Sequence, residues 1–213
     1  MQAIEKITVN TNWIPIVWVI IIALIAVLKI IDSERLKGYA LAFFNKPFVE
    51  DEAEENTSFL NGFTWLIFMI SVTSVTLCLS LVLNEMTTNF TLNFYNFLYL
   101  FLFTLAYFLA RSLLESVFMG LFLMKKQLRF YIISKYSYFY ALAFVLFILF
   151  SIFNFSPVKP MGFGYLVVFL FLLKFVFHVI INKKLIFSKL FYFILYICAL
   201  EIAPLLILFK MML

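Results

Sequence analysis

Long apolar runs alternate along this chain with short polar breaks, and the lengths of the runs set the architecture. A helix rising about 1.5 Å per residue needs about 20 apolar residues to cross a hydrocarbon core about 30 Å thick. Runs of that order lie at 13–31, 60–83, 94–114, 136–155, 162–181 and 185–208. The pattern predicts an all-α, polytopic helical membrane protein of about six transmembrane helices, forming one integral domain over 1–213. Pro15 falls in the first turn of the first run, where a missing N–H costs little. Trp13 and Trp18 fit a belt of aromatic rings at the membrane interface. Lys6 is balanced by Glu5 and no small-residue cleavage pattern follows, so the first run is expected to remain as a helix rather than be removed as a signal peptide.

Two stretches depart from this simple alternation. The third run stays apolar from Phe94 to Met124, which as one helix would be about 46 Å long. Either it tilts strongly or it leaves the membrane near Arg111–Glu115. The second reading is preferred, with Ser116 to Lys135 continuing as an interfacial or cytoplasmic segment. The break at 32–58 is the longest polar stretch, yet Leu36, Ala40, Phe43 and Phe44 recur at helical spacing. That predicts a short interfacial helix within Glu34–Val49, ended by Pro47. The acidic cluster that follows, Glu50, Asp51, Glu52, Glu54 and Glu55, reads as a solvated loop, or else as a contact for a basic cytoplasmic partner.

Composition then decides what surrounds the helices. The chain is 66% hydrophobic and 13% charged, against about 45–50% and about 25% in soluble domains. A globule of 213 residues cannot bury so much apolar surface, so membrane lipids must solvate much of it. The net charge of +5 sits in residues flanking the apolar runs, which points to membrane topology and away from nucleic acid. The connections after the first, third and fifth runs carry eleven Lys and Arg, among them Lys125, Lys126, Arg129 and Lys135. The opposite side carries only Lys6, Lys159 and Lys210. The positive-inside rule therefore puts both termini outside, in the periplasm of a bacterial inner membrane.

The polar residues inside the runs are of two kinds. The second run carries Thr64, Ser71, Ser74 and Cys78 on one side and Thr73, Thr76 and Ser80 on another. Small polar residues let membrane helices approach closely, and a pore lining is the alternative. Cys78 and Cys198 read as small packing residues. The second kind is ionisable: Arg111, Glu115, Lys174, His178 and Glu201. Such groups are costly in lipid and face a protein partner, water or each other. Arg111 and Glu115 are four apart and read as an ion pair at the cytoplasmic boundary of the third run. Lys174 and His178 share a face of the fifth run. An antiparallel sixth helix would set Glu201 roughly 8 Å from Lys174 in depth, which predicts a Lys174–Glu201 pair. Pro204, three residues on, predicts a kink that frees the carbonyl of Leu200.

Recognisable catalytic chemistry is missing. There is no GxSxG or HExxH motif and no phosphate-binding glycine loop, and a single His leaves no multi-His metal cluster. No catalytic residue, metal or cofactor is expected. The terminal stretch "KLFYFILYICALEIAPLLIL" resembles an uncharacterised family of small polytopic inner-membrane proteins of Bacteroidota, a domain of unknown function ending in a CALEIAPLL-like helix. The resemblance implies inner-membrane residence and carries over Glu201 and Pro204 as parts of the family's pattern, with no catalytic role. The expected function is a non-enzymatic subunit or scaffold of a cell-envelope complex, partnered by lipids and other membrane or envelope proteins. The alternative is a small transporter or proton or ion pathway using Lys174, His178 and Glu201.

Overall fold

The computed structural model describes residues 12–54, 61–86, 90–121, 125–155 and 162–181, and all the regular structure in them is helical. The helices are α1 (Trp13–Ile31), α2 (Ser33–Ala40), α3 (Lys46–Glu54), α4 (Gly62–Met86), α5 (Phe94–Leu121), α6 (Lys125–Phe155) and α7 (Phe163–Ile181). Among the described residues, four helices are long and apolar enough to cross a membrane: α1, α4, α5 and α6. The apolar part of α7 is shorter. The chain is an all-α, polytopic integral membrane protein. The predicted span at 185–208, with Cys198, Glu201 and Pro204, lies outside the described residues, as does the connection at 156–160.

Helices α4 and α6 form the centre. α4 packs against α1, α5, α6 and α7, and α6 takes α2, α3, α5 and α7 as well. The outer helices keep large apolar side chains exposed, such as Ile16 and Val19 on α1, Tyr99 and Leu102 on α5, and Phe169 and Leu172 on α7. Those faces suit lipid, because lipid tails solvate them as well as a protein core would.

The hydroxyls of α4 explain how a polar stripe can occupy the middle. Ser71, Ser74 and Thr76 donate to the carbonyls of Ile67, Ile70 and Val72 at 2.7, 2.8 and 2.8 Å. Each hydroxyl is satisfied by its own helix, and its small size lets neighbours approach. Thr76 also meets Thr104 of α5 at 2.8 Å. Cys78 is buried, with Sγ 3.5 Å from the carbonyl oxygen of Leu146. The tryptophans expected at the interface make contacts between helices. Trp13 packs its ring 4.6 Å from that of Phe97, and Trp18 Nε1 donates to Ser151 Oγ of α6 at 2.7 Å.

The break after α1 corrects the sequence reading twice. It holds two helices rather than one, and Pro47 stands in the first turn of α3 instead of ending a helix. Asn45 precedes that turn, and its side-chain oxygen accepts from the Phe48 N–H at 3.4 Å, so proline's missing donor is lost where none is needed. The acidic cluster is the body of α3 as far as Glu54, not a loop. Glu52 is buried there, and its carboxylate takes both ends of the Arg35 guanidinium from α2: Nε at 3.0 Å to one oxygen, and a second nitrogen to the other. Arg35 also lies over the Phe63 ring at the start of α4. Tyr39 sits between Phe48, Phe63 and Tyr140 at 5.1, 6.1 and 5.4 Å. Together these contacts dock the α2–α3 hairpin onto the end of the bundle.

The stretch read as a separate segment from Ser116 to Lys135 becomes the adjoining ends of two long helices. α5 continues to Leu121 and α6 begins at Lys125, before the expected start at 136. Tyr131, Ile132, Ser134 and Lys135 are buried there, so packing carries the helix back through residues whose charge had marked them as a connection.

Candidate functional site

The end of the bundle where α4 begins, α5 ends, α6 begins and α7 ends collects the ionisable groups. Glu115 lies on the last part of α5 and is 1% exposed. Arg111, one turn earlier, brings Nε to 3.3 Å from Glu115 Oε1 and a terminal nitrogen to 3.4 Å from the Tyr107 hydroxyl. Lys135 of α6 brings Nζ to 2.6 Å from the same Glu115 oxygen. One carboxylate thus serves two cations, one local and one from the neighbouring helix.

Helix α7, packed against α6, extends the cluster. Lys174 Nζ sits 5.2 Å from the centroid of the Phe139 ring, a cation over an aromatic face. His178 is 4% exposed and lies against Tyr131 and Tyr138, with ring centroids 4.6 and 5.9 Å away. Lys174, four residues earlier, shares its face of α7. Depth along the runs had separated the Arg111–Glu115 pair from Lys174 and His178. The structure joins the four through α6, whose Tyr131, Lys135 and Tyr138 share one helical face. Glu201 and Pro204 lie outside the described residues, and so does the expected pair of Lys174 with Glu201.

Lys135 is the member that sequence reasoning missed. It had been counted as a basic flank that sets topology. A signal for it was present: Tyr131, Lys135 and Tyr138 follow i, i+4, i+7 spacing, with Ile132, Ile133, Tyr136 and two small serines between them. That pattern continues the fourth run toward the N-terminus.

A cavity of about 390 Å³ opens beside Glu115, between α4, α5 and α6. Thr64, Trp65 and Phe68 of α4 face Leu109, Ser112 and Leu113 of α5 across it, and Ile132, Tyr136 and Tyr140 of α6 close the back. The arrangement can hold a fixed charge pair in a dry setting and offers room for a small guest next to it. Outside the membrane-spanning helices, two groups of the hairpin titrate abnormally. Burial pushes the Tyr39 phenol well above its usual range, and the Glu52 carboxylate adds to that. Burial opposes the charge on Arg35, but Glu52 outweighs it and holds the guanidinium more firmly protonated than usual.

Comparison with curated proteins and with solved structures finds no match. A family does match, and over almost the whole length. With its apolar helices and their shared cluster of charges, the chain belongs to the family described as Domain of unknown function (DUF4271), whose model matches residues 14–212.

Proposed function

We propose that this integral membrane protein is a non-catalytic subunit or scaffold of an envelope assembly in a bacterial inner membrane. Six spans with both termini on the periplasmic side accompany this reading, on the strength of the Lys and Arg distribution. The observation that carries it is the way α4 disposes of its polar groups. Ser71, Ser74 and Thr76 bond back to their own helix in the buried centre of the bundle. A solute pathway needs polar groups turned toward a lumen, whereas these are turned toward backbone, and the described buried ion pairs gather at one end. The family's description assigns no activity. Extraction in a mild detergent, followed by identification of co-purifying proteins and chemical cross-linking, tests the reading. A fixed set of partners at constant stoichiometry is expected. A monodisperse monomer without partners overturns it.

A second reading rests on α7, where Lys174 and His178 both face α6, Lys174 against Phe139 and His178 against Tyr131 and Tyr138. It is a small transporter or a proton or ion pathway using Lys174, His178 and Glu201. Gradient-driven flux into proteoliposomes, lost in Glu201→Gln with the fold intact, would support it. Flux no greater than in empty liposomes would count against it.

A further inference from the structure

The cavity beside Glu115 has two kinds of wall. Trp65, Phe68, Leu109 and Leu113 make one side apolar, and Thr64, Ser112 and Ser116 supply hydroxyls. The two serines are four apart on α5 and so lie on one face of it. Trp65 is 38% exposed and Leu113 68%. The mouth therefore opens beside exposed apolar side chains of α4 and α5, faces that suit lipid and would admit a guest from the bilayer. At about 390 Å³ the cavity falls in the size range of small-ligand sites.

Charge selects the guest. Glu115 is the carboxylate in the described wall, and its charge is met from behind by Arg111 at 3.3 Å and Lys135 at 2.6 Å. Neither cation lines the cavity. A cationic head would come beside a carboxylate that two cations already hold, and would meet their excess positive charge. An anionic head would lie against that carboxylate with no Lys or Arg among the described residues of the wall to receive it, and so would lose its hydration without return. An uncharged head escapes both penalties. Its oxygens exchange hydrogen bonds with Thr64, Ser112 and Ser116 while its tail lies along Trp65, Phe68 and Leu113.

We propose that this cavity binds an uncharged amphiphile from the bilayer, an oxygen-bearing neutral head on an apolar tail. A diacylglycerol and an isoprenoid quinone share that chemistry. The proposal goes beyond the scaffold reading and survives its failure, because a monomer can hold such a guest equally well.

Photolabelling of the purified full-length chain in nanodiscs tests it. Three probes carry the same photoreactive tail: a diacylglycerol, an isoprenoid quinone and, as an anionic control, a phosphatidic acid. A neutral probe should label peptides containing residues 64–68 and 109–116 and be displaced by its unlabelled parent. The stronger neutral probe identifies the source. Ser112→Ala combined with Ser116→Ala should weaken labelling about tenfold, as expected from losing one or two neutral hydrogen bonds. Leu113→Trp, which fills the mouth from an exposed position, should abolish it. Thermal melting of each variant confirms the fold, and the serine pair decides the matter if Leu113→Trp fails to fold. Phosphatidic acid labelling as strong as that of the neutral probes overturns the proposal. So does labelling that displaces to other peptides, or that persists unchanged in a folded variant.

Discussion

Glu115 and Lys135 meet at 2.6 Å, carboxylate oxygen to ammonium nitrogen, with side chains 1% and 9% exposed. The contact ties the end of α5 to α6 at the point where the bundle's charges converge. Breaking one partner of a buried pair costs about 3–5 kcal/mol, mostly because the other charge is stranded. Glu115→Ala should therefore destabilise the protein by that order, since it takes the carboxylate away from Arg111 and Lys135 at once. Adding Lys135→Met should restore part of the loss. Unfolding in detergent, followed by circular dichroism, checks both. A double variant with the full sum of the single losses would sink the account, because independent sites add and coupled ones do not.

The α2–α3 hairpin depends on the absence of a side chain at position 38. A Cβ added at Gly38 would run into the Phe48 ring of α3. Gly38→Ala should loosen the hairpin by about 1–3 kcal/mol, the usual cost of overpacking. Phe48→Leu in the same chain should relieve the clash. Limited proteolysis within 32–54 reports the docking directly: faster cleavage in Gly38→Ala, and slower again in the double variant, is the expected order.

Arg35 holds Glu52 with two nitrogens and covers Phe63 at 5.4 Å. A lysine offers a point charge and no planar fork, so Arg35→Lys is not conservative here. It should cost about 1–2 kcal/mol, near the strength of one charge-assisted hydrogen bond. Glu52→Gln should behave similarly, and hydrogen exchange of the α3 amides should rise in both.

Alkaline pH should release the same hairpin. The folded state holds the Tyr39 phenol above its ordinary value through burial and the nearby Glu52. A raised folded pKa favours the protonated form in the native state. Its stabilising contribution is then complete below the ordinary phenol value of about 10 and fades as pH rises through the folded one. Hairpin protection should fall above about pH 10, and this fall should be smaller in Tyr39→Phe. Hydrogen exchange across that range, compared with absorbance of the ionised phenol, measures it. Equal loss of protection in the two proteins would rule the mechanism out.

The contact between Thr76 and Thr104 at 2.8 Å should matter little. Cross-helix hydrogen bonds in membranes average about 0.6 kcal/mol, because the separated helices find other partners. Both hydroxyls also bond within their own helices, Thr76 to Val72 and Thr104 to Leu100. A double-mutant cycle with valine at each position should give a coupling of about 0.5–1 kcal/mol, read from detergent unfolding.

Much of the architecture was legible in the amino acids alone. The apolar runs at 13–31, 94–114 and 162–181 fall close to α1, the first part of α5, and α7. This follows because backbone groups in lipid must bond within their own segment, so run length translates directly into helix length. The hairpin after α1 was less legible. Its charges looked like loop residues because Glu52 and Arg35 are hidden only by each other, a relation between helices that no local pattern records. The partner of Lys135 was hidden for the same reason, since a basic residue beside a run points to topology and does not show which side chain it will meet.

The sequence by itself determined that this is a polytopic helical protein, which residues carry charge into the helices, and that Arg111 and Glu115 share a face. All of these depend on composition and helical period, which are local. Only the tertiary structure decided that Lys135 completes that pair, that α6 joins it to Lys174 and His178, and that a cavity opens beside Glu115. Those are facts about which helix faces meet. Facing is set by the packing of side chains across α4, α5, α6 and α7, to which lipid, as apolar as the side chains themselves, contributes no preference.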